Sequence, residues 1–165
     1  MDARDPSNVD PALLDLFRAE LDTHLPVLSD GLLALEKGHV DEPMIAAMMR
    51  AAHSIKGAAR IVGFTPAVRV AHALEDCFTA ARDQRVPLTS AAVDVLLDGV
   101  DTLQRVCAAQ PENPPDEAML ASLLARIAAV REGRAEKRAA AAPPAPAPAA
   151  CGAGGEVRVT LPGEL

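Results

Sequence analysis

One histidine stands in the run Ala51-Ala52-His53-Ser54-Ile55-Lys56-Gly57-Ala58-Ala59-Arg60, with two cations and a glycine at helical spacing around it. On a 3.6-residue period Met44, Ile45, Met48, Met49, Ala52, Ile55, Ala59 and Val62 line one stripe. His53, Lys56, Gly57 and Arg60 recur at i, i+3, i+4 and i+7 on another. An imidazole held in water on a rigid helix, with a lysine one turn on and a glycine leaving room for a second molecule, suits reversible phosphorylation of the ring. The same pattern also fits a solvated helix face that happens to carry a histidine, and spacing alone does not separate the two.

The following segment adds to the case. Gly63-Phe64-Thr65-Pro66 reads as a helix stop, a fresh N-cap and a first-turn proline, so two helices should run antiparallel from a tight connection near Phe64. His53 lies eleven residues before Phe64 and Glu75 eleven after it, which sets both roughly 16 Å from the turn at about 1.5 Å per residue. The same count places His72 opposite Lys56, and His72 and Glu75, three apart, share a face. A carboxylate that accepts the Nδ1 proton leaves Nε2 free as the nucleophile. Glu75 would thereby fix the tautomer and steady the positive charge that develops on the ring. Lys56 would offset the charge of the phosphoryl oxygens, as would Arg60 at longer reach.

Each of these residues also has an ordinary explanation. Glu75 could pair with Arg82, and Lys56 could be a solvated cation; the functional reading rests on their conjunction. Two imidazoles and a carboxylate, here His53, His72 and Glu75, are also a familiar zinc set, although Lys56 beside them opposes a metal ion and no fourth ligand presents itself. A helical module that recruits a protein partner without phosphate chemistry is the other alternative. His24 and His39 lack a comparable setting.

Five amphipathic helices position these groups. The first runs from about Asp10, as N-cap with Pro11 behind it, to Lys37, with a kink expected at Pro26 and a stop at Gly38. The second spans about Asp41 to Val62 and the third about Pro66 to Arg85. Pro87 and Thr89 open a fourth, carrying Val93, Leu96, Leu97, Val100, Leu103 and Cys107. Asn113-Pro114-Pro115-Asp116 precedes a fifth, which reaches about Arg131. No strand-like alternation interrupts them, and short links favour an all-α, antiparallel up-and-down bundle.

Composition narrows the partners. A net charge of −7, no tryptophan, no tyrosine and three phenylalanines argue against nucleic-acid binding. No apolar run is long enough to span a membrane, the N-terminus has no secretion-type apolar core, and three scattered cysteines fit a reducing cytoplasm. Residues 1–9 read as a flexible N-terminus and 10–131 as the bundle. The alanine and proline tract within 132–155 reads as a disordered linker, and 156–165, with its strand-like Val157-Arg158-Val159, as the start of a following domain.

The segment Ala51 to Phe64 closely resembles the histidine-phosphotransfer (HPt) motif of the chemotaxis-type histidine kinases, the CheA class, and Ala71-His72-Ala73-Leu74-Glu75 resembles the matching stretch of the next helix. The resemblance spans about Val9 to Arg131 and is most specific at the His-x-x-Lys-Gly core. It implies a four-helix bundle with an additional C-terminal helix. His53 would be the phosphoacceptor, Lys56 and Gly57 its signature neighbours, and His72 and Glu75 the hydrogen-bonding network around it; Arg60 is a less general feature. By the same resemblance a separate histidine kinase catalytic domain, using ATP and magnesium, loads the histidine, and a response-regulator receiver domain takes the group onto an aspartate. No phosphate-binding glycine loop occurs here, so this segment should need no cofactor of its own. Transient carrier interfaces further imply a monomer in isolation.

Overall fold

The computed structural model describes residues 10–108 and 115–134. They form five helices: α1 (Pro11–Glu36), α2 (Glu42–Ile61), α3 (Thr65–Arg82), α4 (Ser90–Ala108) and α5 (Glu117–Arg131). Among the described residues there is no strand, and no helix is long and apolar enough to cross a membrane. The linker and the strand-like tail expected beyond Arg134, like residues 1–9, lie outside the described residues.

Local chemistry sets the ends of these helices. Asp10 and Asp116 each accept a hydrogen bond from the backbone N–H two residues on, at 3.0 Å, and Thr89 Oγ1 accepts from Ala92 N at 3.3 Å. Each cap satisfies one of the donors that a helix start leaves without a partner. Gly38 and Gly63 close α1 and α2 with φ of +83° and +72°. Past each, the next N–H reaches back six residues inclusive, from His39 to Ala34 O and from Phe64 to Ala59 O.

Two boundaries depart from expectation. Phe64 rather than Thr65 is the N-cap of α3, because the chain turns directly off Gly63 and the Phe64 carbonyl already accepts from Val68 N. At its other end α3 stops at Arg82, not Arg85. Gln84 takes the left-handed conformation with φ 55°, and Arg85 N bonds back to Ala80 O; with no glycine in place, the stop is silent in the sequence. Helix α1 runs through Pro26 as expected; the proline is exposed, so the Asp22 carbonyl that loses its donor sits on the solvent side.

Helices α1, α2, α3 and α4 each pack on the next, and α4 packs back on α1, while the backbones of the diagonal pairs stay apart. That is a four-helix bundle. Helix α5 lies against α3 and α4 alone. The axis of the bundle is filled by Leu28, Leu32, Met48, Ile55, Leu74, Phe78, Leu96 and Leu103, all inaccessible to water, at about 1.5–3 kcal/mol of burial each. Two glycines permit close approach: a Cβ on Gly31 of α1 would overlap the side chain of Met48, and one on Gly99 of α4 would come within 3.0 Å of Leu74 and 3.3 Å of Ile127.

Relieving the left-handed strain at Gln84 should stabilise the fold. Gln84→Gly is expected to raise the unfolding free energy in urea by about 1 kcal/mol without altering helix content.

Candidate functional site

Helices α2 and α3 are the most closely packed pair in the bundle. Small residues allow it: Ala51, Ala52 and Ala59 on α2 and Ala67 and Ala71 on α3 are all buried. Because the two helices turn back at Gly63, His53 and Glu75 come level. His53 Nδ1 lies 2.7 Å from Glu75 Oε1. The histidine side chain is 68% exposed and the glutamate 17%, so the carboxylate sits in the seam and the ring stands out over it.

The other carboxylate oxygen has its own partner. Lys56 Nζ is 2.5 Å from Glu75 Oε2, an ion contact whose angle falls outside good hydrogen-bond geometry. Lys56 is itself only 16% exposed. Burial disfavours charge on Glu75, but contacts from Lys56 and then His53 outweigh it and hold the carboxyl below its ordinary value of 4.5. An ionised carboxylate can only accept, so Nδ1 must carry the proton. In the neutral ring Nε2 is then the unprotonated nitrogen.

Two expectations need correction. His72 does not join this network: its ring is 60% exposed and its Nε2 lies 3.6 Å from Asp76 Oδ1. Asp76 in turn pairs with Arg131 of α5 at 3.3 Å, and Arg69 pairs with Glu117 of α5 at 2.6 Å. Thus Arg69, His72 and Asp76 form the stripe of α3 next to α5, and His72 stands about 60° round the helix from Glu75. The second correction concerns Lys56, which is seated on Glu75 instead of reaching freely for solvent. Its aliphatic stem is buried in the α2–α3 seam while its charge neutralises the carboxylate.

The remaining positions are simply placed. Gly57 is exposed, and a Cβ built there would meet nothing within 4 Å. Arg60 is exposed in the last turn of α2, about 10 Å along the axis from His53. Arg82, the alternative partner of Glu75, is committed to Asp83 at 3.0 Å. With His72 turned toward Asp76, the zinc set does not assemble, and the described residues hold no group of three potential metal ligands. His24 pairs with Glu20 at 3.2 Å. Burial pushes the Cys77 and Cys107 thiols up to about 12, which makes them inert packing residues. Sequence reasoning missed Asp76 and Arg131, whose meeting depends on where α5 docks.

An all-helical bundle that shows solvent one imidazole tethered by an ionised carboxylate has the architecture of a histidine phosphocarrier. The chain belongs to the Hpt domain family, whose model matches residues 12–106. It is 34% identical over 84 residues to the chemotaxis protein CheA of Listeria monocytogenes, covering 51% of this chain and 14% of that protein. Over 131 residues it is 31% identical to the CheA of Rhizobium meliloti, covering 79% of this chain and 17% of that one. The chain therefore spans about a sixth of the length of these relatives. Its structure is similar to the phosphorylated P1 domain of CheA3, solved in complex with CheY6 from R. sphaeroides. The TM-score is 0.61 at 28% identity, covering 72% of this chain and 98% of that one.

Two outcomes follow from this geometry. Since nothing inside the protein fills the space at Gly57, Gly57→Ala should stabilise α2 by about 0.5–1 kcal/mol in thermal or urea unfolding. Glu75, with a depressed folded value, adds stability at pH above its unfolded value, and that contribution disappears as pH falls through the folded value. The stability advantage of the wild type over Glu75→Gln, measured by denaturant titration, should accordingly shrink as pH drops below 4.5.

Proposed function

We propose that His53 is the phosphoacceptor of a two-component phosphorelay and that the chain carries the phosphoryl group between two partners. One observation carries the reading: a half-buried, ionised carboxylate holds Nδ1 at 2.7 Å while the rest of the ring faces solvent. In the loading step Nε2 attacks the γ-phosphorus of ATP held with magnesium by a separate kinase domain. The N–P bond forms, the P–O bond to ADP breaks, and the ring becomes cationic with its Nδ1 proton retained. Glu75 opposes that charge across a short charge-assisted hydrogen bond.

In the second step an aspartate oxygen of a receiver domain attacks phosphorus. The N–P bond breaks, an acyl phosphate forms, and the ring returns to neutrality with Nδ1 still protonated. The same tautomer is thus ready for the next cycle. Lys56 acts here as a positioning residue that keeps Glu75 ionised and in place. The carrier works in the cytoplasm as a monomer, and the CheY6 partner of the CheA3 domain supports a receiver domain as the acceptor.

Labelled phosphate tests this directly. With a chemotaxis-type kinase domain and radiolabelled ATP, the wild type should take up acid-labile label and His53→Gln none. Glu75→Ala should load about tenfold or more slowly at unchanged helicity. Label on another residue, or a kinetically silent Glu75→Ala, would contradict the assignment.

A further inference from the structure

Described arginines in this chain almost all spend their guanidinium on an internal acceptor. Arg18, Arg69, Arg82, Arg85, Arg126, Arg131 and Arg134 reach carboxylates, and Arg105 donates to the Asp101 carbonyl and Thr102. Arg50 and Arg60 do neither, although the protein has 23 acidic residues and a net charge of −7. Both are exposed on α2, one turn before and two turns after His53, and both lie within about 60° of its direction round the helix. Between Glu42 and Glu75 the sequence has no aspartate or glutamate. The face that carries His53 is therefore a cationic island on an acidic protein.

Its centre is open and its C-terminal end is apolar. Gly57 offers vacant space, and Ile61, next along the same stripe, is 60% exposed. Ile61 and the two unpaired guanidiniums make no contribution to the bundle core, and their closeness to His53 makes them useful to a partner that covers that face.

Resting on the reading of His53 as phosphocarrier, we infer that Arg50 and Arg60 are specificity residues for the receiver domain. They grip carboxylates about 15 Å apart along α2, on either side of the open space at Gly57, and an apolar group of the partner seats on Ile61 at the C-terminal end of the patch. The arginines steer and select an acidic-rimmed partner, and Ile61 supplies the buried contact. Neither arginine takes part in the chemistry at Nε2.

The test is calorimetric titration of the full chain with the receiver domain that the phosphorylated protein loads fastest, at about 25 and about 300 mM salt. Wild-type affinity should weaken several-fold with salt. Arg50→Gln/Arg60→Gln should bind about tenfold or more weakly at low salt and lose most of the salt dependence, with circular dichroism unchanged. Ile61→Ala should weaken binding about threefold or more equally at both salts. A double variant that binds within about twofold of wild type, or that keeps its salt dependence, overturns the inference. So does a double variant that slows loading by the kinase domain while leaving receiver affinity intact. Loading wild type with the small donor phosphoramidate separates the two readings. Without acid-labile label on His53, the phosphocarrier reading fails and this one with it; with label present and receiver affinity unchanged in the double variant, only this inference fails.

Discussion

The Glu75 carboxylate, shared between an imidazole N–H and an ammonium, is the interaction on which the site depends. A half-buried carboxylate on its own would rise in pKa and become an ambiguous partner, able to donate as well as accept. Lys56 removes that ambiguity by keeping it anionic. Its other oxygen then has one electrostatic option, the Nδ1 proton of His53, and the reactive nitrogen is chosen without any further contact to the ring. Three residues from two helices thus act as one unit, and none would do the same work in isolation.

The bundle serves this unit by holding α2 and α3 close. Alanine-rich facing stripes bring the backbones near enough for a glutamate and a lysine to meet in the seam, and Gly31 and Gly99 let α1 seat closely on α2 and α4 on α3 and α5. Helix α5 braces a neighbouring stripe of α3 through Arg69–Glu117 and Asp76–Arg131. The stripe of α3 that meets His53 and the stripe that meets α5 are therefore separate faces of one helix. Arg50, Gly57, Arg60 and Ile61 on the outer face of α2 are meanwhile exposed.

Much of this was legible before the structure. Periodicity located five helices, and Asp10, Thr89, Asp116, Gly38 and Gly63 marked caps and stops with local chemistry. Equal distance from a tight turn was enough to pair His53 with Glu75, since the rise of a helix is constant and antiparallel neighbours must come level. The end of α3 escaped notice because Gln84 adopts a glycine-like conformation without being glycine. His72 was misplaced for a different reason: counting from the turn gives height along a helix and nothing about azimuth.

That distinction divides what each source of information decided. The order of residues determined most of what a single helix owns, namely its approximate extent, its buried stripe, and the recurrence of His53, Lys56, Gly57 and Arg60 at helical spacing outside that stripe. Tertiary packing alone decided which side chain of α3 faces α2 and which faces α5, and hence that Lys56 is drawn into the seam while His72 is turned away to Asp76. Helical geometry repeats every 3.6 residues and is written locally; the rotation of one helix against another is the outcome of fitting whole surfaces together, to which residues far apart in the chain contribute at once.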